Sequence, residues 1–254
     1  MDELIEFKNF CRTLADSSAK VIQMYFRKGI SIESKSDTSP VTIADKKAEE
    51  TMRELIEKTY PDHGIFGEEF GVKNKDAEYI WILDPIDGTK SFICGAYSFG
   101  TLIGLLHKGN PILGVYNHPI LNDFLIGDSQ ETNVNGKKTS LRNCDRLDQA
   151  VLLTTDHLNI EKYQNINKFN ELIKRVKLYR NWGDCYGYYL LATGFADIMI
   201  DPIMSPWDLL PIIPIIKGAG GIITDFQGND AINGKSAVAA SPRIHAEVIA
   251  RLNN

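Results

Sequence analysis

The chain has 254 residues, 43% hydrophobic and 24% charged, with 33 acids against 28 bases and a formal charge of −5. That length suits one large domain or two moderate ones sharing an interface. The acidic balance, with no basic run longer than a few residues, argues against a non-specific nucleic-acid binder, although it leaves room for a phosphorylated substrate if metal ions supply local positive charge.

Four cysteines (Cys11, Cys94, Cys144 and Cys185) stand far apart without a CxxC pair. This spacing disfavours a zinc site or a disulfide framework and points to reduced thiols. The opening MDELIEFKNF is acidic and amphipathic, without the basic start and apolar centre of a signal peptide. No apolar stretch approaches the ~20 residues that span a bilayer, so a soluble, cytoplasmic protein with no membrane partner is expected.

The first segment places Leu4, Phe7, Cys11, Leu14, Val21, Ile22 and Phe26 on one face of a long helix that stops near Gly29. A short strand over 31–34, a polar loop over 35–40 and a second helix over 42–58, cut by Pro61, come next. Short β-rich runs at 65–67 and 79–83 each end on acids. Segments 98–107 and 112–116 flank Lys108-Gly109-Asn110 as a hairpin, and Asn135-Gly136 marks a second one. Beyond residue 145 the pattern alternates: strands at 151–154, 176–179, 198–200 and 222–224, helices at 163–175, 186–193 and 209–217. The expected class is a layered α+β and α/β sandwich, with an N-terminal half (1–145) of helices on a mainly antiparallel sheet and an α/β C-terminal half (146–254).

The chemistry concentrates in Trp81-Ile82-Leu83-Asp84-Pro85-Ile86-Asp87-Gly88-Thr89. An apolar strand delivers Asp84; Pro85, lacking an N–H, is expected to stop the ladder; the turn brings Asp87 round beside Asp84. Gly88 opens backbone angles closed to other residues, and Thr89 starts a helix whose free N–H groups face the same spot. Two carboxylates, the Ile86 carbonyl and a hydroxyl converge there, which suits Mg²⁺, and a helix N-terminus suits phosphate. Glu68, in Gly67-Glu68-Glu69, and Asp208, after Trp207, offer matching acids. Four gathered carboxylates would balance two Mg²⁺ ions, which would bind a phosphate dianion and activate water. Taken singly, each piece has a plainer reading: DxxD as a turn, Glu68-Glu69 as a surface pair, Asp208 as a helix cap.

Together, Gly67-Glu68-Glu69, Asp84-Pro85-Ile86-Asp87-Gly88-Thr89 and Trp207-Asp208 with Gly220-Gly221 resemble the inositol monophosphatase superfamily of metal-dependent, lithium-sensitive phosphatases. The resemblance implies an αβαβα sandwich, commonly a homodimer, acting on a small phosphorylated metabolite with two or three Mg²⁺ ions and inhibited by Li⁺. It implies Glu68, Asp84, the Ile86 carbonyl, Asp87 and Asp208 as metal ligands, with Gly88 and Thr89 as the phosphate-binding turn. It also implies that Glu68 and the Thr89–Asp45 pair activate water, and places Lys35 near the metals, where a solvated surface lysine is the alternative.

Within the superfamily, Lys90-Ser91-Phe92, the run from Arg180 to Gly187, and Asp201-Pro202 look like the histidinol-phosphate phosphatases. That likeness sets Asp87, Arg180, Asp184, Cys185 and Asp201 against substrate. Asp184 and Asp201 would pair with the ammonium and imidazole of histidinol phosphate, or else serve as a helix cap and a strand end. The chain departs from the family at Gly218, where an acid is usual, at Leu209-Leu210, and at Pro211 and Pro214; the second proline should bend the helix or remove a hydrogen bond. The rival readings are an inositol-1-phosphate or other small-monoester phosphatase, a sugar-bisphosphate phosphatase (ranked last), and a catalytically silent partner-binding protein.

Overall fold

The computed structural model describes residues 2–29, 32–34 and 40–254; Lys35 lies outside the described residues. Helix α1 (Asp2–Tyr25) is followed by strands β1 (Ile32–Ser34) and β2 (Pro40–Thr42), an antiparallel pair. Helix α2 (Ile43–Thr59) starts on a capping box in which Thr42 and Asp45 satisfy each other's backbone N–H groups.

The first sheet gathers β3 (Gly64–Gly67), β4 (Gly71–Lys73), β5 (Tyr79–Asp87), β6 (Gly100–His107), β7 (Asn110–His118), β8 (Asp123–Gly127), β9 (Thr132–Val134) and β10 (Lys137–Thr139), with short helix α3 (Thr89–Ile93) after β5. Its order is β10-β9-β8-β7-β6-β5-β3-β4, antiparallel except for β3 against β5. The second sheet takes over at β11 (Val151–Thr154). There follow α4 (His157–Tyr163), α5 (Ile166–Ile173), β12 (Leu178–Arg180), α6 (Asp184–Ala192), β13 (Ile198–Asp201), α7 (Pro206–Gly218), β14 (Ile222–Thr224), β15 (Ala237–Ala240) and α8 (Pro242–Asn253). Its order is β12-β11-β13-β15-β14, parallel across β12, β11 and β13.

Alternation along the strands builds five layers. Trp81 and Leu83 of β5 pack with Phe7, Leu14, Met52 and Ile56 of the outer helices α1 and α2. Ile82, one residue out of phase, joins Leu102, Tyr116 and the buried sides of α6 and α7, and there meets Leu153, Met199 and Ala239 of the second sheet. The other face of that sheet, with Leu152, Ile198 and Val238, packs on Phe169 of α5 and Val248 of α8. The architecture is the αβαβα sandwich. No helix among the described residues is long and apolar enough to cross a membrane.

Helix α7 lies in the middle layer on a trough made by three glycines paired across neighbouring strands, Gly104↔Gly114↔Gly127. A Cβ at Gly114 would sit 1.7 Å from the Pro211 carbonyl oxygen, and one at Gly127 would sit 2.6 Å from the Ile215 Cα. The sheet in turn hydrogen-bonds the helix: Ser129 N donates to Pro214 O (3.1 Å) and Thr132 Oγ1 to Ile215 O (2.7 Å). Pro211 and Pro214 are both buried, and although neither has an N–H to give, the helix runs through to Gly218.

Several elements differ from the sequence expectation. Strand β5 does not end at Pro85; it continues to Asp87 through a bulge, a place where a missing donor is tolerated. The helix expected over 163–175 is the shorter α5, Ile166–Ile173, because α4 ends at Tyr163 and Asn165 caps a new start with bonds from Asn167 N and Lys168 N. Strand β12 begins at Leu178 rather than residue 176, and α6 begins two residues early, at Asp184. Strands β2, β4, β8 and β15 and helices α4 and α8 were not foreseen.

Candidate active site

In a regular strand, residues three apart point to opposite faces. The β5 bulge removes that obstacle: Asp84 pairs with Leu102 and Asp87 with Gly100, so one extra residue is absorbed between them. The Pro85 carbonyl is held by the buried Thr101 hydroxyl at 2.8 Å. Asp208 arrives from the first turn of α7, where its side chain caps the helix by accepting from Ser205 N at 3.0 Å. Carboxylate oxygens of Asp84, Asp87 and Asp208 lie within 4.8 Å of one another.

Burial, and then the nearby charges of Glu68, Asp87 and Asp208, push the Asp84 carboxyl well above the usual range. Burial and Asp208 do the same to Asp87, opposed by the N–H of Cys185. Burial raises Asp208 to about 7, with Glu68 adding to it and the Ser205 N–H holding it back. Asp84 Oδ1 is buried without a hydrogen-bond partner among the described residues. An unpaired, buried carboxylate oxygen beside two more acids costs stability unless a cation compensates it. All the donors are oxygens, the preference of hard divalent ions, so the residues fit a metal.

Beside this cluster, Gly88 adopts φ 85°. A Cβ there would lie 2.8 Å from Ser98 O and 3.2 Å from Asp184 Oδ2, so the turn requires glycine on both counts. The Thr89 hydroxyl sits 3.1 Å from Ile86 O and 3.5 Å from Asp45 Oδ1. The other Asp45 oxygen accepts from Thr42 N (2.8 Å) and Thr42 Oγ1 (2.6 Å). Burial raises Asp45 to about 6, countered by the Thr42 bonds and reinforced by Glu68.

The second sheet forms the facing wall. The carboxyl ends of the parallel strands β11, β12 and β13 lie on one edge, the usual ligand side of such sheets. A cleft of about 360 Å³ runs from Glu68, Gly88 and Thr89 to Thr155, Asp156, Asn159, Asn181 and Asp184. It adjoins a smaller hollow lined by Asp87, Asp201 and Asp208. Asp184 takes φ 50°, unusual for a residue with a side chain, and its N–H donates to Thr155 Oγ1 at 2.8 Å. Burial raises its carboxyl well above normal, helped by Asp87 and Asp201 and opposed by Lys90.

The expected site residues differ in how far their side chains are occupied within the protein. Asp201 is 4% exposed and accepts from Thr155 N (3.1 Å) and the Tyr188 hydroxyl (2.9 Å). Cys185 is 1% exposed; its N–H holds Asp87 Oδ2 and its thiol faces Asp87 O at 3.6 Å. Arg180 is exposed and donates to the Tyr179 carbonyl at 2.7 Å, and the cleft lining takes its neighbour Asn181 instead. Thr155, Asp156, Asn159 and Asn181 escaped the sequence reading. The available signal was positional, since each follows the end of a strand in the alternating half.

The inositol monophosphatase family model matches residues 3–254. The chain belongs to the inositol monophosphatase family. It is 47% identical over 245 residues to the bifunctional phosphatase IMPL2, chloroplastic, of Arabidopsis thaliana, covering 94% of this chain and 70% of that protein. It is 36% identical over 244 residues to a histidinol-phosphatase of Chlorobaculum parvum, covering 95% and 94%. Among solved structures, an inositol monophosphatase from Zymomonas mobilis superposes with TM-score 0.86 at 36% identity, covering 97% of both chains. As a member of the inositol monophosphatase family, the protein is a metal-dependent phosphatase that hydrolyses small phosphate monoesters.

Proposed function

We propose that this protein uses Mg²⁺ to hydrolyse histidinol phosphate. The observation that carries the substrate choice is that Asp156, Asn159 and Asp184 line the same cleft as the Gly88–Thr89 turn, with Asp184 Oδ2 directly beside Gly88. A phosphate seated at the turn would leave the rest of the substrate against carboxylates, which favours a cationic ammonium and imidazole over a neutral polyol. The histidinol-phosphatases of Chlorobaculum parvum and, at 33% identity over 247 residues, Mycobacterium tuberculosis support the same choice.

In this reading Glu68, Asp84, the Ile86 carbonyl, Asp87 and Asp208 would hold the ions. Bound Mg²⁺ supplies positive charge that offsets the phosphate dianion and the charge developing on the leaving oxygen. The backbone at Gly88 and Thr89 seats the phosphate. Glu68 orients the attacking water, which gives its proton to the Thr89 hydroxyl as Thr89 passes its own to Asp45; the new P–O bond forms as the ester P–O bond breaks, and the leaving oxygen takes a proton from solvent water. Asp184 fixes the cationic end of the substrate, while Cys185 N–H and the Asp201 contacts keep Asp87 and Asp184 in place.

A second reading, activity on inositol 1-phosphate as well, is favoured by the name bifunctional phosphatase on the Arabidopsis thaliana relative. Phosphate release from histidinol phosphate and inositol 1-phosphate, each with Mg²⁺ and with EDTA, separates the two. Mg²⁺-dependent preference for histidinol phosphate, lost in Asp184→Asn, is the expected result; preference for the inositol ester would overturn the substrate assignment. Turnover of neither ester would favour a partner-binding role, as the name Nus factor SuhB on a relative in Pasteurella multocida, 31% identical over 228 residues, suggests for that protein.

A further inference from the structure

We propose that Glu49 is a positioning residue for Glu68, acting through the main chain of the turn that carries it; the inference rests on the role given to Glu68 above. Glu49 is 0% exposed, and a fully buried acid has to be compensated by specific partners. Its Oε2 accepts from Glu69 N at 2.8 Å, and its Oε1 accepts from Phe70 N at 3.2 Å and from Arg53 Nε at 2.8 Å. Arg53 then reaches past it to donate to the Gly71 carbonyl. The carboxylate occupies the space a side chain at residue 67 would need: a Cβ on Gly67 would lie 2.0 Å from Glu49 Oε1. The glycine that precedes Glu68 is therefore the counterpart of Glu49.

The other side of Glu68 is tied to the strand that bears the metal cluster. Glu68 N donates to Leu83 O at 3.1 Å, one residue before Asp84. Glu68 thus sits between a peptide anchored on β5 and two peptides anchored on Glu49. Asp45 and Glu49 are four residues apart on α2, hence on one helix face, and both are 0% exposed. One buried face of α2 sets Asp45 behind Thr89 and Glu49 behind the Glu68 turn. Misplacing a reacting group by about 1 Å can cost on the order of a hundredfold in rate, which is what loosening this turn would do.

The test is a mutant cycle on the full chain with Mg²⁺ and the preferred ester: Glu49→Gln, Glu68→Gln and the double variant, with Glu50→Gln, exposed on the same helix, as control. Glu49→Gln is expected to lower kcat by about ten- to a hundredfold with KM little changed. Glu68→Gln should add little on top of it, and Glu50→Gln should match wild type. Independently of activity, the Glu69 and Phe70 amides should exchange hydrogen faster in Glu49→Gln than in wild type. Glu49→Asp, which keeps the charge beside Arg53 but shortens the reach, should lose kcat too, and it serves if the glutamine variant does not fold. A crippled Glu68→Gln beside a normal Glu49→Gln, additive losses in the double variant, or full rescue by Glu49→Asp would overturn this proposal alone. Full turnover in Glu68→Gln would overturn the assignment of Glu68 and this proposal with it.

Discussion

On the first-sheet wall of the cleft, Asp84 is 2% exposed and its Oδ1 has no partner among the described residues. On the second-sheet wall, Asp201 is 4% exposed and accepts from Thr155 N and the Tyr188 hydroxyl. Both are buried strand aspartates, Asp84 just before the β5 bulge and Asp201 at the end of β13, and burial raises the carboxyl of each. They differ in what completes them. The protein supplies donors to Asp201, whereas it surrounds Asp84 with more acids, an arrangement that a cation would complete. A buried acid in a site is therefore read by its hydrogen bonds more than by its depth.

The largest effect is expected on the Asp84 wall. Asp87→Asn should lower turnover by at least about a hundredfold while the metal-free protein melts no earlier than wild type, because a mutually repelling charge has been removed. Near-normal turnover in a steady-state assay would make this wall scaffold. Next in size, Gly114→Ala should destabilise by about 3 kcal/mol, since its Cβ would meet the Pro211 carbonyl oxygen at 1.7 Å. Urea unfolding measures the loss, and lowered turnover in the folded remainder would tie the glycine trough to the placement of Asp208.

Asp201→Ala should cost about 2–3 kcal/mol by leaving the Thr155 N–H and Tyr188 hydroxyl without their acceptor; Asp201→Asn should cost less. A stability unchanged in Asp201→Ala would deny it a scaffold role.

The smallest effect lies away from both walls. His118 is 0% exposed, its Nε2 is 2.6 Å from Tyr97 O, and its Nδ1 accepts from Ile120 N and Leu121 N, each at 3.2 Å. The ring is thus held neutral, and burial lowers its pKa from 6.5. With the folded value depressed, the unfolded chain binds more protons below about pH 6.5, so this contribution to stability is lost as pH falls through that value. Wild type should lose melting temperature relative to His118→Gln between pH 7 and pH 5.5; parallel curves would contradict it.

The motifs carried the site further than the periodicity carried the fold. Gly67-Glu68-Glu69, the Asp84–Thr89 run and Trp207-Asp208 named the acids, and three of them meet within 4.8 Å. The bulge that lets Asp84 and Asp87 face the same way was hidden, because Pro85 reads locally as an end to pairing. Strand β15 escaped because Ala237-Val238-Ala239-Ala240 has weak β-propensity and is held by β13 and β14, contacts remote in sequence. The hydrogen bonds of Asp201 come from Thr155 and Tyr188, one of them 46 residues away, which no local pattern reports. Two prolines in α7 looked like a fault in the sequence and prove compatible with a helix that sheet donors and three paired glycines receive.

Whether a cation completes the Asp84 wall is decided by calorimetric titration of the metal-free protein with Mg²⁺, with Asp84→Asn and Asp201→Asn alongside. Saturable binding is expected in wild type and in Asp201→Asn, and binding abolished or at least about tenfold weaker in Asp84→Asn. Equal binding in wild type and Asp84→Asn, or no binding in wild type, would contradict completion by a cation.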